Sequence, residues 1–496
     1  MKVLKFGGAS IKDADGVKNL LEVLKTTNND NEIVIVVSAM GKITRKLSKV
    51  VFNYLDWNED DYEGPYDPDE DYEFNESDYV VSLNSLKLIK HYHHEIMSKL
   101  FSEDHIVFKE IENYFEEIKK FFIKNKEKKV ESFVYDQIIS FGELISSKII
   151  YHYLKDNGFD LEWLDARELI KTNKNYGNAD VDIKETEKRI IKKINKTKNY
   201  ITQGFIGSYK KGKTTTLGFE GSDYSAALFA NALESESVTI WKDVAGVFNA
   251  DPRYFRDYLV GGEIITFEAA KEEEKYKSLQ SYGRPLFLIK TILLDRISYN
   301  YAAKMSSFGA SVIHPKTIQP LQEKGIPLFV KSFLNPKETG TEISNREYRT
   351  EEYQDSDTYT KSSETPYFMV KESIDIIEFY KEDKTFINAT DLAGIIVLFD
   401  LYNCKIELLQ NTGDRVLICF QKNEERFYTL KRTTYNLGYS ISHLLMSDFK
   451  PVLITILNPN PKAIKHVLAH ISPEKILMRQ SSEEIFQLVV EYEIGR

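Results

Sequence analysis

Residues 1–44 read MKVLKFGGASIKDADGVKNLLEVLKTTNNDNEIVIVVSAMGKIT. Residues 3–6, VLKF, form a short strand that ends in Gly7-Gly8. VKNLLEVLK, residues 17–25, has apolar residues at helical spacing. EIVIVVSA, residues 32–39, is a continuous apolar run that closes on a small-residue turn. A strand with no polar face belongs in a parallel sheet covered on both sides. This βαβ opening therefore predicts an α/β domain.

The chain of 496 residues is long enough for two or three domains with large cores. Its 42% hydrophobic and 29% charged content is that of a soluble globular protein. No apolar run approaches the roughly 18 residues of a membrane span, and the N-terminus does not read as a signal peptide. Cys404 and Cys419 are the only cysteines, which argues against a disulfide framework and predicts a cytoplasmic location. The net charge of −10 is local in origin. Residues 56–78, DWNEDDYEGPYDPDEDYEFNESD, hold 12 acids and no Lys or Arg, and removing them takes −10 to +2. A balanced remainder carries no basic footprint for nucleic acid.

The acidic stretch reads as a surface loop, with a partner-binding segment as the alternative. Residues 80–130 follow with helical spacing, as a helical hairpin or lid. His91, His93 and His94 cluster there without the spacing of a metal site, and no metal centre is expected. Beyond residue 135 helices and strands alternate again: DQIISFGELISSKIIYHYLKDNG as a helix, YITQGFIG and SVTIWKDV as strands, PLFVKSF as another. The polar segment 343–366 is the best linker. After it, YFMVKESIDIIEFY, LAGIIVLFDLYN, KIELLQ and RVLICFQ read β-α-β-β. PVLITILN, PKAIKHVLAHI, KILMRQ and IFQLVVEYE repeat that order. Two copies of a small α+β unit point to a tandem regulatory module.

Four strand-to-small-residue turns recur: KFGG, VVSAMGKIT, QGFIG and TTTLGFEGSD. Parallel strands deliver such turns to one carboxyl edge, where ligands bind in open α/β sheets. Glycines let backbone N–H groups approach an oxyanion, and Lys5 adds charge. Neither the Walker nor the dinucleotide-binding glycine spacing is present. Asp223, in the first turn of the helix SDYSAALFA, is either a dipole-favoured acid or an organiser of phosphoryl groups. Glu143, beside Phe141-Gly142 and among serines, could reach an amine in a cleft. WKDVAGVFNADPR, residues 241–253, combines turn chemistry with groups suited to line a nucleotide.

KFGGAS, VVSAMGKIT, SFGELISS, QGFIG, TTTLGFEGSDYSAALFA, TIWKDVAGVFNADPR and FGASVIHPKTIQPL occur in the order and spacing of aspartate kinases. The resemblance covers nearly the whole chain, and the C-terminal repeats look like that family's paired ACT domains. It implies an amino-acid-kinase, carbamate-kinase-like fold: a largely parallel sheet sandwiched by helices over residues 1–342. The acidic loop and the helical segment 80–130 are insertions in it. A linker at 343–366 and tandem ACT domains at 367–496 follow. The implied reaction is ATP-dependent phosphorylation of the L-aspartate side-chain carboxylate, the first step toward lysine, threonine and methionine, with Mg2+ as cofactor. By resemblance a homodimer through the ACT domains is expected, with no nucleic-acid or membrane partner.

Residue by residue, Lys5 resembles the catalytic lysine and Asp223 the carboxylate that organises the phosphate site. Gly7, Gly8 and Ser222 resemble phosphate-side positions. Ser38, Thr44 and Glu143 resemble aspartate-binding positions, Glu143 gripping the α-amino group. Lys242, Asp243, Phe248, Asp251 and Arg253 fall where the family lines the nucleotide. Three departures stand out. Phe219 occupies the place of an arginine that binds a carboxylate of aspartate, and a phenyl ring supplies none of that bidentate pairing. Ala9 replaces a threonine of the usual glycine turn. Gln410-Asn411-Thr412-Gly413 replaces the Thr-Ser-Glu-like effector turn of the first ACT unit. Phe219 leaves open a catalytically weakened paralogue serving as a ligand-binding or regulatory partner, or a kinase with another acceptor. Glu220 is compatible with the family pattern.

Overall fold

Strands β1 (Lys2–Phe6) and β2 (Ile33–Val37) pair in parallel with Phe6 opposite Val37, and every side chain of β2 is fully buried. The uniformly apolar run is explained by this burial on both faces. The computed structural model describes residues 1–27, 32–55, 78–125, 131–252, 254–255, 259–260, 263–264, 291–310, 313–345, 365–381, 383, 385–402, 404–421, 430–434, 439–443 and 449–493. Most of the acidic stretch, most of the expected linker and Arg253 lie outside the described residues. The chain divides into two compact units. One is Met1–Val247 with Leu293–Ser306 and Ser311–Arg349; the other is Phe248–Ile292 with Ser307–Ala310 and Thr350–Arg496.

The first unit is built on an eight-stranded sheet. Its other strands are β3 (Glu162–Trp163), β4 (Tyr200–Gln203), β7 (Val238–Lys242), β10 (Arg296–Ser298), β11 (Leu328–Ser332) and β12 (Thr341–Ser344). The strand order is β10-β12-β11-β7-β1-β2-β4-β3, parallel except between β11 and β12. Strands β5 (Ile206–Tyr209) and β6 (Lys213–Thr216) form a separate antiparallel hairpin. Around the sheet run α1 (Ala14–Thr27), α2 (Ile43–Leu55), α3 (Asp78–Leu100), α4 (Ile106–Lys124), α5 (Glu131–Ile139) and α6 (Phe141–Asp156). They are followed by α7 (Ala166–Leu169), α8 (Ile183–Lys193), α9 (Gly221–Leu233), α10 (Tyr299–Ser307) and α11 (Pro315–Lys324).

The segment 80–130 supplies the helical pair α3 and α4. It is tied to α2 by Ser82 Oγ donating to the Val50 carbonyl (3.2 Å) and by Tyr54 OH donating to the Phe122 carbonyl (3.0 Å). His93 is buried against the rings of Tyr92 and Phe115, and burial lowers its imidazole to about 4, so it is a neutral core histidine. Two sequence readings of the first unit need correction. DQIISFGELISSKIIYHYLKDNG is two helices, parted at Ser140, whose hydroxyl bonds back to the Gln137 carbonyl (3.0 Å). YITQGFIG is β4 and β5, because Phe205 turns left-handed at φ 70° and takes the chain out of the main sheet.

The second unit holds two four-stranded antiparallel sheets. β14 (Ile374–Lys381), β15 (Ile406–Asn411), β16 (Arg415–Gln421) and β17 (Tyr439–His443) make one, in the order β15-β16-β14-β17. β13 (Tyr367–Lys371), β18 (Phe449–Leu457), β19 (Ile476–Ser481) and β20 (Ile485–Glu493) make the other, in the order β13-β18-β20-β19. A two-stranded pair, β8 (Leu259–Val260) and β9 (Glu263–Ile264), also belongs here. Helix α12 (Ala389–Leu401) packs on the first sheet through Ile395 and Phe399, and α13 (Pro461–Ala469) on the second through Ala463 and Val467. Ile374, Ile376, Leu408 and Cys419 meet Leu453, Met478 and Val489 between the sheets. YFMVKESIDIIEFY, read as one strand, breaks at Ser373 (φ 56°) into β13 and β14, which join different sheets. These antiparallel sheets with their covering helices fit paired ACT domains.

Candidate active site

The parallel register brings the ends of β1, β2, β4 and β7 level: Phe6 lies opposite both Val37 and Trp241, and Val37 opposite Gln203. The loops that follow therefore meet at one edge. The Ser38 N–H donates to the Phe6 carbonyl (3.2 Å), and the Gly41 N–H to the Gly8 carbonyl (3.0 Å). Glycine is required at both ends of that last bond. A Cβ on Gly8 would lie 2.7 Å from the Ala39 carbonyl oxygen, and Gly41 turns left-handed at φ 53°. Ser10 Oγ ties the first loop to the Trp241 carbonyl (3.3 Å).

At this edge Asp223, in the first turn of α9, is 2% exposed and holds two cations. Lys5 Nζ lies 2.5 Å from Oδ1, and Lys242 Nζ 3.6 Å from Oδ2. Burial alone would raise the Asp223 carboxyl, but the two ammonium groups outweigh it and hold it below the usual carboxylate range. Lys5 is also buried, so two positive charges share one carboxylate in a desolvated place. Such an arrangement has an electrostatic surplus suited to an anion.

Glu220 precedes α9 in a left-handed conformation, φ 53°. Its Oε2 is buried with no hydrogen-bond partner among the described residues. Burial raises its carboxyl, Lys242 and Lys5 oppose that, and Asp223 adds to it. Glu143, in the first turn of α6, is 2% exposed. One oxygen accepts the Ala39 N–H (3.3 Å), and Oε2 has no partner among the described residues. Burial pushes this carboxyl up to about 8. A carboxyl held this high by burial favours its protonated form at pH 7, and a cation placed beside Oε2 would favour the ionised form. Ser38 is fastened to the same helix, its carbonyl accepting from Ser146 Oγ (2.5 Å), and Thr44 lies in the first turn of α2.

Phe219 is 77% exposed, its ring against His314 at 6.2 Å in a T-shaped contact. Ser222 is buried beside Asp223, and Asp243 is exposed after the end of β7. Phe248 and Asp251 fall in the second unit. Thus Lys5, Lys242 and Asp223 are joined by direct contact, and Glu143 and Ser38 are joined through the Ser38–Gly41 loop.

Two contributors escaped the sequence reading. Tyr92 of α3 donates its hydroxyl to the Lys12 carbonyl, and a Cβ on Gly41 would lie 2.8 Å from that hydroxyl. Burial, then Asp13, pushes the Tyr92 phenol up to about 12, so it stays a donor. Asp136 of α5 accepts the Thr216 N–H (2.9 Å), Thr216 Oγ1 (2.7 Å) and the Gly177 N–H (3.0 Å), which fixes the strand leading to Gly218. No local motif marks either residue.

The sequence profile described as the amino acid kinase family matches residues 1–283. The chain belongs to the amino acid kinase family. Among relatives, it is 30% identical over 348 residues to lysine-sensitive aspartokinase 3 of Escherichia coli (strain K12), covering 69% of this chain and 64% of that protein. It is 26% identical over 349 residues to aspartokinase 1, chloroplastic, of Arabidopsis thaliana, covering 69% of this chain and 52% of the relative. Both matches span less than two thirds of the relative's length. Among solved structures, E. coli aspartokinase III in complex with aspartate and ADP (R-state) superposes with a TM-score of 0.70 at 22% identity, over 99% of this chain and 96% of that one. Clostridium acetobutylicum aspartate kinase gives 0.62 at 20%, over 99% and 96%. The fold of these two structures is thereby shared over 99% of the chain.

Proposed function

We propose that this chain is an aspartate kinase, transferring the γ-phosphoryl group of ATP to the side-chain carboxylate of L-aspartate. The observation that carries the reading is the buried Asp223 shared by Lys5 and Lys242 at the carboxyl edge of the sheet. The names of the relatives support the choice of acceptor.

The acceptor carboxylate is ionised at neutral pH, so its oxygen attacks the γ-phosphorus without a general base. A new carboxylate O–P bond forms, the bond from the γ-phosphorus to the bridging oxygen breaks, and ADP leaves with that electron pair. The obstacle is repulsion between two anions. Lys5 and Lys242 offset it from fixed positions, because Asp223 holds both ammonium groups before substrate arrives. Gly7, Gly8 and Ser222 contribute phosphate-side contacts. Glu143 takes the substrate α-ammonium, with Ser38 and Thr44 beside it. Asp243, exposed after β7, is assigned to the nucleotide side.

Mg2+ would be held on the protein side by the hard oxygen Glu220 Oε2, which has no hydrogen-bond partner among the described residues. When bound with the nucleotide it would neutralise phosphate charge. Residues 1–342 form the catalytic domain, 343–366 the linker and 367–496 the regulatory pair, in a cytoplasmic enzyme of lysine, threonine and methionine biosynthesis. The exposed apolar residues Phe386, Val397 and Leu401 on the ACT-like unit favour a homodimer through it.

Phe219 favours one second reading, an acceptor other than aspartate or a weakened paralogue, because no guanidinium stands at that position. ADP release measured with aspartate, glutamate and related acids separates these. Turnover with aspartate supports the proposal. Turnover restricted to another acid, or none while ATP still binds, removes it.

A further inference from the structure

A basic cleft on the first unit is not used by the reaction above. It has a volume of about 620 Å³ and is lined by Arg167, Lys171, Arg189, Lys192 and Lys193, with Gly212 of the β5–β6 turn at one side. Only Asp165 and Glu168 oppose those five cations in the lining. Asp165 is consumed by Arg167, which donates Nε to Oδ1 at 2.9 Å and Nη2 to Oδ2 at 2.6 Å. Arg189 Nε donates to Glu185 (2.6 Å), and its Nη1 to the Glu168 carbonyl (3.2 Å).

None of the three lysines has a direct ion-pair partner among the described residues, although Asp165, Glu168 and Glu185 act on Lys171 from a distance. Lys171 Nζ donates to two neutral acceptors, the Arg167 carbonyl (2.8 Å) and Ser208 Oγ (2.7 Å). Burial lowers its pKa, and the nearby Arg189 lowers it further. Lys192 and Lys193 are exposed and have no ion-pair partner among the described residues. The turn that carries Gly212 reads Lys210-Lys211-Gly212-Lys213, and of it only Gly212 lines the cleft. The α8 dipole accounts for cations in its last turn. It does not account for Lys171 and Arg167, which come from other parts of the chain and face the same space.

Concentrated like charge in a concavity is costly unless an anion completes it. The volume lies in the range of small-molecule sites, about 300–1,000 Å³. Lysine ammoniums suit phosphate as point charges, while the arginine forks are largely occupied. We propose that this cleft binds a small phosphate-bearing anion, with Lys171 at its floor and Arg189, Lys192 and Lys193 around its mouth. The inference is independent of the kinase reading.

Inorganic pyrophosphate, titrated into the full chain at constant ionic strength, is the first probe, with lysine acetylation mapped by mass spectrometry. Protection of Lys171, Lys192 and Lys193 is expected. In a Lys192→Glu/Lys193→Glu variant protection of Lys171, the cleft lysine that remains, should need at least tenfold more pyrophosphate, while protection of Lys5 is unchanged. A parallel arm with ribose 5-phosphate assigns the source: tighter protection identifies an organic phosphate ester, weaker protection an inorganic anion. Protection confined to Lys5 and Lys242 in the native chain would overturn the proposal, as would equal affinity of the variant. Displacement of pyrophosphate by a single-stranded oligonucleotide at lower concentration would also overturn it, replacing the small anion with nucleic acid.

Discussion

Phe219 presents a largely solvated ring between Gly218 and Glu220, where the aspartate-kinase pattern has a carboxylate-binding arginine. A charge-assisted hydrogen bond is worth about 1.5–3 kcal/mol, or roughly one to two decades of affinity. Phe219→Arg should therefore lower KM for aspartate about 10- to 100-fold with little change in kcat. Lys316 is an alternative cation beside this loop, since its ammonium donates to Asn178 (2.9 Å) and Asn178 lies against Gly218. If Phe219→Arg changes nothing, Lys316→Met should weaken aspartate binding instead. Glu143 gives a pH signature. Its carboxyl is pushed up to about 8 in the folded chain against an ordinary value near 4.5. The stabilising preference for the protonated form is complete below the unfolded value and is lost as pH rises to about 8. Hence Glu143→Gln should flatten the fall of apo-protein Tm between pH 5 and 8. Substrate binding has the opposite slope, because an ammonium needs the ionised form. KM for aspartate should rise as pH falls below 8, and Glu143→Gln should abolish that dependence.

Elements were legible where one local rule decided them. The apolar run of β2, the helical period of α3 and α4 and the small-residue turns after β1 and β2 all follow from periodicity and turn chemistry. Element breaks were less legible. Phe205 and Ser373 adopt left-handed conformations that their residue types do not announce, so β4–β5 and β13–β14 each read as one strand. Asp136 was hidden for another reason. Its value lies in bonds to Thr216 and Gly177, 80 and 41 residues away, which no window can register. Asp136→Ala would strip buried donors of their acceptor, and should destabilise the first unit by about 2–3 kcal/mol in denaturant titration. The same change should weaken catalysis through the misplaced Gly218 loop, leaving the second unit's unfolding transition unmoved.

At the scale of the whole chain, motif order pointed to the kinase sheet and to two small α+β copies, but not to how the copies share strands. β13 precedes one copy and pairs with β18 of the other; β17 precedes the second and pairs with β14 of the first. The C-terminal unit is thus interlaced, and deleting either copy should unfold the remainder of it. Its exposed Val397 and Leu401 belong to the proposed dimer surface. Val397→Glu/Leu401→Glu should raise the dimer dissociation constant at least tenfold in sedimentation velocity. In the proposed mechanism a buried carboxylate of the first unit aligns two lysines for transfer between anions. The most direct test of this mechanism is hydroxylamine trapping of the acyl phosphate formed from ATP and L-aspartate, in the native chain and in Asp223→Asn. Aspartyl hydroxamate is expected from the native chain, and at least a 100-fold lower rate in the variant. No hydroxamate from a native chain that binds ATP, or an undiminished rate in Asp223→Asn, would contradict it.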